Sequence, residues 1–474
     1  MNAPVSNTPG SQQDDLHWMG VAEAANAIAA KRISPVELTE ALLKRIARLD
    51  PKLNAFIRVD GDAALAAART AEAEAQSGHV RGPLHGVPVG IKDIIDVAGL
   101  PTTCHSKVLQ DNMASADAVC VEKLRGAGAI VLGKLSTHEF AIGGPSFDLP
   151  WPPARNPWNR DFLPGGSSSG SGAAVGGRIV PAAIGTDTGG SVRWPAAVCG
   201  ITGLKPTYGR ISRRGVHPNT YSLDHCGPMT RTAEDCAIML GAIAGHDPLD
   251  PGSIDEPVPD YGRALTGSIK GLKIGLVRHW YQEHGDPELV AAMETAIALL
   301  RDRGAIVEEV VLDDLQDYVD AKTTLSVSEL YAVHEKDLKT RPQDFGKKLR
   351  TRVIGGALLR AEDYIQAMRW RTELVTRLMA AFAKFDVLAT AGWLAPADPA
   401  DPEGFDFFRK RLLVTMPFSL AGIPALVVPC GFSASGLPLS LQIGGRPFDE
   451  ATVLNVGHAY QQATEWHRRA PPLR

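Results

Sequence analysis

Short apolar, β-branched runs alternate with segments of helical periodicity along most of this 474-residue chain. That alternation restricts the fold more than any single motif does. It calls for a buried sheet covered by helices, an α/β layered architecture. Strand-like runs fall at 87–95, 129–132, 179–184, 273–277, 305–312, 386–390, 425–429 and 439–443. Helices are expected at 63–76, 118–125, 287–301, 326–338 and 361–383. An earlier helix has the clearest start. Ser34-Pro35-Val36-Glu37 is a capping box with proline at the first helical position, and Leu38, Leu42, Ile46 and Leu49 follow on one face. No internal repeat and no long polar linker divides the chain. The expected organisation is a disordered tail at 1–15 and one domain over 16–474. Within it, N-terminal helices occupy 16–80, a central core 81–240, and the remainder, 241–474, completes the fold and the substrate pocket.

Charge and cysteine usage narrow the partners. Lys and Arg number 49 against 53 Asp and Glu, a net charge of −4, so the chain as a whole lacks the basic footprint of a nucleic-acid binder. No apolar run is long enough to span a membrane, and residues 1–15 lack the basic and apolar regions of a secretory signal. The six cysteines form no C-x-x-C pair, and a chain of this size needs no disulfide framework, so reduced, buried thiols and a cytoplasmic location are expected. No H-E-x-x-H and no zinc-like Cys/His spacing occurs, so neither a metal nor another cofactor is expected.

Glycine, at 47 residues, is in excess, and much of it sits in two stretches. Residues 164–172 read Pro-Gly-Gly-Ser-Ser-Ser-Gly-Ser-Gly, and 185–195 read Gly-Thr-Asp-Thr-Gly-Gly-Ser-Val-Arg-Trp-Pro. The first runs straight into apolar sequence, so it reads as a tight loop packed against other backbone rather than a flexible linker. In the second, Gly189-Gly190 before Ser191 can turn backbone N–H groups toward one point, an anion-stabilising nest. A third stretch, residues 86–93, carries Lys92 inside an apolar strand. Such a lysine either snorkels from the strand end or pairs with Asp93 or Asp96, or, if desolvated, loses its charge readily and can act as a base.

Together these stretches closely resemble the amidase signature family. Gly165-Gly166-Ser167-Ser168, Gly185-Thr186-Asp187-Thr188-Gly189-Gly190-Ser191 and the segment Cys199 to Thr207 follow its signature, with Ser167 and Ser191 separated by 24 residues. Matching blocks at Ser34–Leu38, Arg155–Trp158, Ser222–Met229 and Pro438–Gln442 carry the resemblance over nearly the whole chain. It implies a single α/β/α domain with a mixed, twisted sheet of about ten or eleven strands. It also implies a Ser–cis-Ser–Lys triad: Ser191 the nucleophile, Ser167 the bridge on a cis peptide, Lys92 the base. Thr188, Gly189 and Gly190, with the N–H of Ser191, would form the oxyanion hole. Asp187 and Arg193 would support the loop. Many relatives are homodimers, so a homodimer is possible here.

Two local patterns compete with this reading. Gly166-Ser167-Ser168-Ser169-Gly170 fits a nucleophile elbow centred on Ser168, but no buried strand precedes it. Gly128 to Lys134 spells most of a phosphate-binding loop, with Leu135 where a hydroxyl is needed. The substrate is expected to be a small-molecule amide. Phe147, Trp151, Tyr221 and Trp393 are candidate pocket residues; if they line the pocket, they favour an aryl or bulky acylamide, with esters or carbamates cleaved by the same machinery. The alternative resembles the glutamine-hydrolysing component of a tRNA-dependent amidotransferase. Against it stand the 143–151 stretch and Gly392-Trp393-Leu394, unlike a small polar glutamine site, with Thr390-Ala391-Gly392 where relatives often carry Thr-Pro-Thr.

Overall fold

The fold was read from a computed structural model that describes residues 16–142, 144–400 and 413–473. The expectation for 1–15 lies outside the described residues. Eleven strands form one mixed sheet, in the order β1-β3-β2-β4-β6-β5-β10-β11-β9-β7-β8. They are β1 (Phe56–Val59), β2 (Pro88–Lys92), β3 (Ile130–Leu135), β4 (Ala182–Asp187), β5 (Thr202–Lys205), β6 (His225–Thr230), β7 (Lys273–Leu276), β8 (Ile306–Glu309), β9 (Val387–Ala391), β10 (Ala425–Phe432) and β11 (Pro438–Gly445). Strands β2, β3 and β4 run parallel, as do β7, β8 and β9; antiparallel pairs join the two groups. Helices flank the sheet, the layered α/β class expected from the alternation. β2 and β4 are buried along their whole length, so both faces are covered, and that favours continuous apolar runs.

Local chemistry explains the helix at Pro35–Leu53. Ser34 Oγ accepts from the N–H of Val36 at 2.9 Å, and Glu37 Oε2 accepts from the N–H of Ser34 at 2.9 Å. Leu38, Leu42, Ile46, Leu49 and Leu53 bury its inner face, and Asn54 ends it in the left-handed conformation.

Three differences from the sequence reading concern the site. The serine-glycine run is not all loop: Ser169–Gly176 is a fully buried helix. Its glycines serve close approach, since a Cβ on Gly170 would stand 2.3 Å from the Ala55 carbonyl oxygen. β5 and β6 escaped notice because Gly and Pro interrupt them; Pro228 sits in β6, paired with Ile184 of β4. The helix expected from 326 begins at Leu315 and runs to Thr340, because buried Lys322 breaks the apolar stripe of Tyr318, Ala321 and Leu325.

Candidate active site

β2 ends at Lys92, whose side chain is wholly buried. Its Nζ donates to Ser167 Oγ at 2.7 Å, Ser168 Oγ at 3.0 Å and Thr186 Oγ1 at 2.7 Å. Three hydroxyls, and no carboxylate, thus surround the amine. Burial pushes its pKa down to about 7, with Asp187 and Asp224 opposing from farther off. The Gly166–Ser167 peptide is cis. Ser191, half-buried after β4, faces the same cavity as Ser167. Lys92 to Ser167 is therefore a formed link. Among the described residues no side-chain hydrogen bond joins Ser167 to Ser191.

Asp187 shapes the turn that carries Ser191. It accepts from Gly190 N at 2.8 Å and Val192 N at 3.1 Å, and it pairs with Arg193 through Nε at 3.0 Å and Nη2 at 2.9 Å. Burial alone would raise this carboxyl, but Arg193 more than offsets that and holds it well below the usual range. Arg193 continues to the Thr415 carbonyl at 2.7 Å and Gln442 Oε1 at 2.8 Å, tying the turn to the far side of the sheet. Gly190 has φ +134°, and a Cβ there would meet Thr415 Oγ1 at 2.3 Å.

This geometry corrects one expectation. Gly190 gives its N–H to Asp187, so it is not free to hold an oxyanion. Gly189 and Ser191 are the remaining donors at the apex of the turn. Thr188 donates its hydroxyl to Asp224 Oδ1 at 2.6 Å and lines the cavity. Ser168, the elbow candidate, is wholly buried and spent: its Oγ donates to the Thr186 carbonyl while accepting from Lys92 and from Thr186 N. The phosphate-loop lookalike is strand β3, with Lys134 paired to Asp93 at 3.0 Å.

The cavity, about 60 Å³, is lined among the described residues by Ser167, Thr188–Ser191, Trp194 and Trp393, with His138, Lys322, Arg352 and Met416 among its other walls. Of the four aromatic candidates only Trp393 reaches it, stacked on Trp194 at 4.7 Å. Phe147 is 37% exposed, between the cations of Arg155 and Lys348. Trp151 packs edge-on against His105. Tyr221 is 59% exposed beside Arg213. These three lie outside the cavity, with cations over the rings of Phe147 and Tyr221 and an imidazole against Trp151.

Sequence reasoning missed Lys322 and Arg352. Lys322 is 7% exposed, and burial pushes its pKa down to about 8. Its Nζ would lie 3.1 Å from a Cβ on Gly189, so it stands over the turn. Burial lowers the Arg352 guanidinium to about 10. One signal was available: a lysine at a core position of an otherwise apolar helical stripe. Among the described residues no cluster of His, Cys, Asp and Glu is suited to a metal, and no helix is long and apolar enough to cross a membrane.

Residues 37–454 match the family model described as Amidase. The A subunit of glutamyl-tRNA(Gln) amidotransferase from Roseiflexus sp. (strain RS-1) is 42% identical, over 97% of this chain and 99% of its own. A solved chain described as part of an unexpected vestigial protein complex, revealing the origins of an s-triazine catabolic enzyme, superposes with TM-score 0.88 at 33% identity, covering 96% of this chain and all of that one. A bacterial aryl acylamidase of the amidase signature family superposes with TM-score 0.87 at 27% identity, covering 96% and 98%.

Proposed function

Because the chain belongs to the amidase signature family, we propose that it hydrolyses the C–N bond of a small primary amide bearing a carboxylate, glutamine foremost, as the glutamine-hydrolysing component of an amidotransferase does. The observation that carries this reading is the pair of cations, buried Lys322 and half-buried Arg352, in the cavity that also holds Ser191. Two desolvated positive groups favour an anionic substrate end and disfavour a purely apolar one. The relatives named as amidotransferase subunits, at 42% identity over almost their full length, support it independently. The case for a bulky aryl substrate rested on four aromatics, three of which lie outside the cavity.

The chemistry runs from Lys92. Its neutral amine takes a proton from Ser167, which takes one from Ser191, and Ser191 Oγ attacks the amide carbon. The oxyanion is held by the N–H groups of Gly189 and Ser191. Proton return through Ser167 releases ammonia and leaves an acyl ester on Ser191. Water, deprotonated by the same relay, hydrolyses the ester to the acid and restores the enzyme.

The Trp194–Trp393 stack favours a second reading, an aryl acylamide laid against the rings. Turnover by the purified chain, measured with glutamine, with an uncharged primary amide and with an acyl anilide, separates the two. Turnover of glutamine well above the others is expected. Efficient anilide cleavage with no glutaminase activity would transfer the assignment to the second reading.

A further inference from the structure

A second cleft lies at the opposite end of β4 and β6 from the catalytic turn. Ala182 pairs with Thr230 at this end, and Asp187 pairs with His225 at the other, about 17 Å away at the usual rise per residue. Its volume is about 600 Å³, and its walls come from Trp18, the starts of the helices Val21–Ala29 and Ala233–Ile243, the end of the helix Glu450–Gln462, and His467-Arg468.

Arg231, immediately after β6, is only 7% exposed. Among the described residues its guanidinium donates no hydrogen bond, and Nη2 is sealed without an acceptor. Nδ1 of His467 in the same cleft is also buried and unpartnered. Leaving such buried polar atoms unmatched is costly, and a planar guanidinium is suited to carboxylate or phosphate oxygens.

Most of the other charged groups facing the cleft have partners of their own. Arg178 donates through Nη2 to the carbonyls of Arg468 at 2.8 Å and Arg469 at 3.0 Å, and it lies 4.3 Å over the Trp18 ring. Arg468 pairs outward with Glu465 at 3.1 Å. On the acidic side, Glu23 accepts from Gly20 N and Asp235 from Ala22 N, each at 2.9 Å, so both hold the start of a helix. Asp235 keeps one oxygen unpartnered. Glu234 and His458 stand where this cleft meets its neighbour. Among the described residues Arg231 is thus the cleft cation that donates no hydrogen bond, with the Asp235 and Glu23 carboxylates acting on its charge from nearby.

We propose that this cleft is a binding site for a small ligand carrying an oxyanion, carboxylate or phosphate, received by Arg231 and His467. The site is independent of the amide-hydrolysing one and of its substrate.

Calorimetric titration of the full chain with inorganic phosphate and, separately, with malonate in a chloride buffer tests it. At least one probe is expected to bind saturably at one site, with affinity falling about tenfold in Arg231→Gln and in His467→Ala and unchanged in Lys322→Met. Which probe binds identifies the source of the oxyanion. Retained amide hydrolysis shows that a variant is folded; if Arg231→Gln does not fold, His467→Ala carries the test. Absence of saturable binding at millimolar concentration overturns the proposal. So does binding that survives the cleft variants, or that is lost in Lys322→Met, which would place the anion in the catalytic cavity.

Discussion

The two walls of the catalytic cavity are built differently. Lys92, Ser167 and the 186–191 turn come from adjacent parallel strands and the start of a buried helix, all held by backbone and by the Asp187–Arg193 pair. Lys322, Arg352, Trp393 and Thr415 arrive on separate helices and loops laid over the sheet. Reactive groups placed on the rigid sheet keep their geometry, while the covering wall can change its chemistry without disturbing them. On the proposed reading, the near wall performs the reaction and the far wall selects what enters it.

Variants separate these roles. Ser191→Ala removes the nucleophile and is expected to lower kcat by at least about 10⁴-fold for every amide. Lys92→Ala should cost about 10³-fold, again for all substrates, with the fold retained by circular dichroism. Lys322→Met or Arg352→Met should raise KM for glutamine by about 10- to 100-fold while leaving an uncharged amide nearly unaffected. Ser168→Ala, which removes one of three acceptors around Lys92, should lower kcat by about three- to tenfold; an elbow mechanism would instead require complete loss.

The pH dependence sharpens the same contrast. Lys92 acts as a base only when neutral, so kcat/KM should rise with pH up to about 7 and then level for an uncharged amide. Lys322 attracts a carboxylate only when protonated, and it loses that proton above about 8. For glutamine kcat/KM should therefore peak between these values and fall on the alkaline side, and Lys322→Met should abolish the alkaline fall.

What the sequence made legible follows the same division. The near wall is local: its residues fall in three short stretches whose glycines, hydroxyls and interrupting lysine are unusual on their face. The far wall is not, because Lys322 and Arg352 sit in ordinary helical sequence and meet Ser191 only through the order of the sheet. Phe147, Trp151 and Tyr221 are candidates by ring size and by the segments that carry them, and nothing local reveals that Arg155, His105 and Arg213 occupy their faces and edges. Gly190 likewise looked like an oxyanion donor until Asp187 proved to hold its N–H. β6 was hidden by Pro228, which a central strand tolerates here between β4 and β5.

The central claim is that chemistry and selection reside on different walls. Its most direct test is the ratio of kcat/KM for glutamine to that for an uncharged primary amide of similar length, compared between the wild-type chain and Lys322→Met/Arg352→Met. The account predicts that the ratio falls by about 100-fold or more, with the uncharged amide turned over at its original rate. An unchanged ratio, or equal loss on both substrates, would contradict it.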